Sequence, residues 1–207
     1  KKKIAKKKKE ENHIEIPYIT TLSDEKLNEI KGNVIFCDPG KRDLLTMMDD
    51  DNKTFRYSNR QRLHETKRLK YVELLQNHKN RRGITETENE LSDHNSKSCD
   101  LDEFKKYISK KNEINGKLFS EYRNEKFRQY KWYSYMNKQR SESKLLTAIE
   151  TKFGKKNIVI GDWSASHQLG NFISTPNLSL KRKLSERFNV YHIDEYNTSK
   201  LYHKTET

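Results

Sequence analysis

Acidic residues close three short apolar runs of this chain. Asp38 follows Val34-Ile35-Phe36-Cys37 and precedes Pro39-Gly40; Asp162 follows Ile158-Val159-Ile160-Gly161; Asp194-Glu195 follow Val190-Tyr191-His192-Ile193. Proline lacks an N–H and ends a strand ladder, and glycine lets the backbone turn close to a ligand. Asp38 is therefore well placed to hold a divalent cation at a sheet edge. Asp-Pro-Gly is also ordinary turn chemistry, in which Asp38 would only accept turn hydrogen bonds. Two cations about 3.5–4 Å apart, clamping an attacking and a leaving oxygen, are the usual device for phosphodiester cleavage. Carboxylate ligands with retained waters suit Mg²⁺ or Mn²⁺.

The three runs are rich in β-branched and aromatic residues, about four to seven residues long, and bounded by polar or glycine-bearing turns, so they read as strands. Their continuous apolar character fits strands covered on both faces. Leu44 to Met48 and Thr54 to Tyr57 flank the turn Asp49 to Lys53 and predict a hairpin. Strands one to three should thus form an antiparallel meander. Helical periodicity follows over Gln61–His78, Asp100–Lys111 and Asn115–Phe153, with the polar stretch 80–98 between the first two reading as loop or disorder. Gly154 closes the last of these helices, and Ser179 is positioned to cap a short helix reaching Phe188. A helical crossover joins parallel strands, and residues 61–153 form a very long one. The expected fold is α/β: a ribonuclease H-like mixed sheet of order 3-2-1-4-5, with a helical insertion at about 61–153 between strands three and four. A basic tail and linker, 1–32, would precede a domain at 33–207.

In that order the carboxyl ends of strands one, four and five converge. Neighbouring side chains on a strand point to opposite faces, so only one of Asp194 and Glu195 can join a shared site. Strand five lies two spacings from strand one, roughly 10 Å. Glutamate reaches one bond further than aspartate, and Gly161 removes a side chain from the gap. Asp38 and Glu195 are the expected pair of metal ligands, with Asp162 a third candidate or an anchor for the turn Trp163-Ser164.

The 43 Lys plus Arg against 30 Asp plus Glu leave a net charge of +13, which points to a polyanionic partner, most economically nucleic acid. No 18-residue apolar run exists to span a membrane. Two cysteines are too few for a disulfide framework or a four-cysteine zinc site. Cys37, in a strand, reads as packing, and His64, His167 and His192 as satisfied histidines. Between Phe119 and Arg140, Tyr122, Phe127, Tyr130, Trp132, Tyr133 and Tyr135 interleave with Arg123, Lys126, Arg128, Lys131, Lys138 and Arg140. That stretch either stacks bases and follows a phosphate strand or is an amphipathic helix with an aromatic core face. The run Lys1–Lys9 reads as a nuclear localisation signal, a phosphate-binding tail or a solvated extension.

The blocks Val34 to Gly40, Phe55 to Lys70, Lys131-Trp132-Tyr133, Ile158 to Ser164, Thr175-Pro176-Asn177 and Asp194 to Ser199 together resemble the RuvC portion of Fanzor proteins, eukaryotic relatives of the TnpB nucleases. The resemblance covers about residues 33–203. It implies an RNA-guided DNA endonuclease with a guide RNA, a target DNA, Mg²⁺ and a nuclear location. In TnpB relatives a glutamate closes the fourth strand, where this chain has Gly161. Fanzor proteins are similar in carrying a relocated glutamate before a Thr-Ser pair, here Glu195 before Thr198-Ser199. The family's third acid follows a cysteine-rich knuckle whose first cysteine would be expected near Tyr202. The resemblance thus implies a nuclease portion ending before its last carboxylate, or a decayed copy that only binds nucleic acid. An actin-like ATPase would need a second Asp-x-Gly phosphate loop, and the sequence has none.

Overall fold

The structure is a computed structural model that describes residues 15–162 and 176–195. The lysine run, the Trp163-Ser164 turn, His167, Thr175, the Thr198-Ser199 pair and Tyr202 lie outside the described residues. Two compact units divide the chain: a sheet unit, Lys1–Asn59 with Lys144–Thr207, and a helical unit, Arg60–Ser143.

In the sheet unit a 3₁₀ turn (Ile19–Thr21) and α1 (Asp24–Ile30) lead to β1 (Val34–Asp38), β2 (Asp43–Asp49) and β3 (Thr54–Ser58). Later come β4 (Asn157–Gly161), α7 (Asn177–Leu184) and β5 (Val190–Ile193). The mixed five-stranded sheet has the order β3-β2-β1-β4-β5 that the strand pattern predicts. β1, β2 and β3 pair antiparallel, whereas β1, β4 and β5 pair parallel. One face packs Ile35, Cys37, Ile158 and Ile160 against Leu145, Ile149, Leu180 and Leu184. Each such side chain, once buried, contributes about 1.5–3 kcal/mol against its solvated state.

The opposite face is covered only in part. Val34 and Val159 meet Ile30, Ile19 and Leu22, so residues 15–32, grouped with the tail in the sequence, pack on the sheet. Phe36 and Asp38 stay exposed on that face, and Phe36 pairs with exposed Met48. Coverage on both faces therefore holds along β4, where Ile158 to Gly161 are all buried, and fails at the end of β1.

The helical unit holds α2 (Asn59–Thr66, entered from the sheet unit), α3 (Arg68–Arg81), α4 (Ile84–Asn89), α5 (Leu101–Tyr122) and the first part of α6 (Glu125–Phe153). It departs from expectation at three places. The helix predicted over 61–78 breaks at Lys67, whose φ of 52° is left-handed. The stretch 80–98, expected to be loop, contains α4. Ile84 and Leu91 pack there with Ile114, Leu118 and Phe127, so two apolar residues sufficed for a small core. The next break falls at Arg123-Asn124 rather than near residue 113, because Ile114 is buried in that same core and continues α5 through the expected gap. Gly154, at φ 75°, ends α6 as expected. No described helix is long and apolar enough to cross a membrane.

Candidate functional site

Strand register creates the site. Cys37 pairs with Ile160, and Gly161 pairs with Ile193, so the carboxyl ends of the three parallel strands lie side by side. Asp38 is exposed at the end of β1. The turn after it is tight: a Cβ on Gly40 would come within 2.6 Å of the Asp43 carbonyl oxygen, which is why a residue without a side chain stands there.

Glu195 lies two residues beyond β5 and folds back over β4. A Cβ built on Gly161 would collide with the Glu195 carboxylate, so the carboxylate fills the space that any other residue at 161 would occupy. Burial first, and then the Asp38 and Asp162 carboxylates, raise the Glu195 carboxyl above the ordinary carboxylate range, while Lys181 opposes them. Asp194 adds a smaller influence than Asp162 on the Tyr18 hydroxyl. Asp162 accepts a hydrogen bond from Tyr18 Oη at 3.0 Å, and its backbone N–H donates to the Ile193 carbonyl at 2.9 Å. Tyr18 lies on the arm that bridges β5, where the His192 N–H donates to the Pro17 carbonyl.

Lys181 was missed by motif reasoning. Its Nζ donates to the Gly161 carbonyl oxygen at 2.6 Å, and the residue is 3 % exposed. Burial pulls its pKa below the ordinary lysine value, and the Asp162 and Glu195 carboxylates offset that only partly. The basic run Lys181-Arg182-Lys183 looks like a solvated helix face. The signal was the spacing: Asn177, Leu180, Lys181 and Leu184 are all buried, at the i, i+3, i+4, i+7 positions of one helical stripe. Ser179 does not cap α7, which begins two residues earlier; its hydroxyl donates to the Pro176 carbonyl. The Asn177 side-chain amide and His192 Nε2 are buried with no hydrogen-bond partner among the described residues, so His192 is not the satisfied histidine the sequence suggests. Burial raises the Cys37 thiol far above its usual value, as its packing role requires.

The donor set is hard oxygen, and it carries more negative charge than the Lys181 ammonium facing it, which suits a divalent cation. Asp38 and Glu195 would supply the protein ligands, with Asp162 beside them as a third candidate. They are neighbours rather than a closed cage: among the described residues no three His, Cys, Asp or Glu side chains are gathered as a ready metal cluster. Water and substrate oxygens would complete the coordination, as magnesium sites commonly allow. No protein-family model matches the chain, and no curated protein matches it.

Proposed function

We propose that this chain carries the nuclease portion of an RNA-guided, divalent-metal-dependent DNA endonuclease of Fanzor type, on a ribonuclease H-like sheet. The observation that carries the reading is Glu195 folded over Gly161 beside Asp38 and Asp162, at the carboxyl edge of three adjacent parallel strands. Asp38 and Glu195 are the metal ligands in this reading, for Mg²⁺ or Mn²⁺. Guide RNA, target DNA and a nuclear location come from the resemblance and from the basic charge.

Bound there, the cations would supply charge stabilisation for the attacking and leaving oxygens of a phosphodiester. The protein's own groups set the stage. Asp38 is open to solvent and to an incoming strand. Glu195 reaches the site because position 161 has no side chain. Lys181 fixes the Gly161 carbonyl and offsets part of the negative charge, and Tyr18 steers Asp162.

A binding module without cleavage is the second reading, favoured by the absence of a closed ligand cluster among the described residues. Asp38→Ala in the full-length protein separates the two. Guide-dependent, Mg²⁺-dependent DNA cleavage should fall at least about 100-fold, the scale on which enzymes depend on metal-ion charge stabilisation, with nucleic-acid affinity retained. Undiminished cleavage would remove Asp38 from the chemistry, and no cleavage by either protein would leave the binding module.

A further inference from the structure

The helical unit distributes its charge unevenly. Residues 86–125 hold ten acidic and seven basic side chains, and ion pairs consume most of that charge. Lys79 pairs with Glu88 at 2.9 Å, Arg82 with Glu121 at 2.8 Å, Lys110 with Glu90 at 2.8 Å and Lys117 with Glu113 at 2.7 Å. The segments 60–70 and 126–140 are the opposite, with ten basic residues and one acidic. Their single acid, Glu65, accepts hydrogen bonds from Ser141 and Gln61, both uncharged. Lys138 reaches Glu142 at 3.6 Å, and the other nine cations have no ion pair among the described residues. This concentration of charge on α2, the start of α3 and α6 has no internal explanation in folding.

Exposed aromatic rings accompany it. Trp132 and Tyr135, at i and i+3 on α6, are 59 % and 52 % exposed. Their rings stack on each other, with centroids 5.7 Å apart and planes 29° from parallel. An aromatic pair that served the core would be buried, as the α3–α6 contact through Tyr71 and Tyr130 partly is. Trp132 lines a groove of about 420 Å³ with Lys67 and Arg140. Tyr135 lines a second groove, of about 290 Å³, with Arg62, Arg68, Lys131 and Lys138. The stacked pair joins the two.

The backbone between α2 and α3 serves the same arrangement. A non-glycine residue in the left-handed region costs roughly 1–2 kcal/mol, and Lys67 adopts it. The break delivers consecutive cations, Lys67 and Arg68, one to each groove.

We propose that the Trp132–Tyr135 pair and its two basic grooves bind single-stranded nucleic acid. Unpaired bases stack on the rings, and the phosphates run past Arg62, Lys67, Arg68, Lys131 and Arg140. A duplex keeps its base faces covered, so it can use the cations but not the rings. Stacking on aromatic side chains tolerates any base, so no sequence preference is required. Binding here is independent of whether the carboxyl edge of the sheet cleaves phosphodiesters.

The test is fluorescence anisotropy of the full chain with labelled twelve-nucleotide oligo-dT, oligo-rU and a duplex of equal length, over a range of salt. Trp132→Ala, and Trp132→Leu as a variant that keeps an apolar side chain, should weaken both single strands about 5- to 100-fold, the effect of losing one stacked base. Duplex affinity should change less than twofold. Arg68→Gln should lower the slope of log affinity against log salt by about 0.7 for a single strand. The single strand that loses more affinity in the Trp132 variants is the one the platform takes. Unchanged single-strand affinity in both Trp132 variants overturns it. So does displacement of the strands by poly-glutamate at equal charge, which would make the surface a site for acidic polypeptides.

Discussion

Both edges of the sheet set a lysine against carboxylates, and they balance charge in different ways. At the amino edge of the parallel strands, Lys156 Nζ lies 3.0 Å from Asp49 Oδ2, whose side chain is wholly inaccessible. The other oxygen of Asp49 accepts from the backbone N–H groups of Asp51 and Lys53. Burial alone would raise the Asp49 pKa, but Lys156 and the Lys53 amide overcome it, and the carboxyl is held below its ordinary value. At the carboxyl edge Lys181 faces Asp162 and Glu195, and its hydrogen bond goes to the Gly161 carbonyl. There the balance reverses, and the Glu195 carboxyl is raised. An ion pair with both carboxylate oxygens answered stabilises the hairpin. A carboxylate kept among other carboxylates weakens the fold when ionised, a common signature of a binding site.

The amino edge gives the largest expected effect. Lys156→Met leaves the inaccessible Asp49 carboxylate without its cation and should give the largest fall in Tm of these variants. Thermal melts would check it. Because the Asp49 pKa is lowered, its contribution is full above the unfolded-state carboxyl pKa and is lost as pH falls through the folded value. The deficit of the variant should therefore shrink in acid. A pH-independent deficit would show that Lys156 contributes packing rather than charge.

The carboxyl edge should respond with the opposite sign. Glu195→Gln removes a carboxylate whose folded pKa is raised. The proton-bound form is favoured below the unfolded-state pKa, and that advantage is lost as pH rises through the folded value. At pH 7 without metal the variant should melt a few degrees higher than the parent, on the order of 2–4 °C, and the gain should vanish near pH 4. Mn²⁺ should stabilise the parent and hardly affect the variant. Equal melting at both pH values would make the two edges alike.

Gly161→Ala sharpens the comparison with the smallest change. The added methyl takes the space of the Glu195 carboxylate, whose flexible end must move away. The fold should survive with a Tm change of about 2 °C or less, while the Mn²⁺-induced rise in Tm falls by half or more. An unchanged metal response would mean that Glu195 reaches the cation from another direction.

The sheet and its acidic ends were legible because short β-branched runs with Pro, Gly and Asp at their borders constrain both strand position and order. Glu195 was legible for a steric reason, the gap at Gly161. The helical unit was harder to read. Ile84 is the buried residue of α4 and Leu91 follows it seven residues on, and two apolar residues in a polar stretch carry too little periodicity to read. The left-handed turn at Lys67 has no sequence mark, since neither Gly nor Asn stands there. Lys181 sat on a buried stripe, but its charge and its basic neighbours concealed that.

Glu195 also stands outside any strand, and its place is set by the pairing of Ile160 with His192 and of Gly161 with Ile193. The acid therefore inherits its address from a backbone ladder it does not belong to. One residue inserted between Val190 and Glu195 would shift the carboxylate out of register with Gly161 and leave Asp38 where it is. The spacing from β5 to the acid is a ruler, and its length, more than the identity of the residues along it, defines where the negative charge falls.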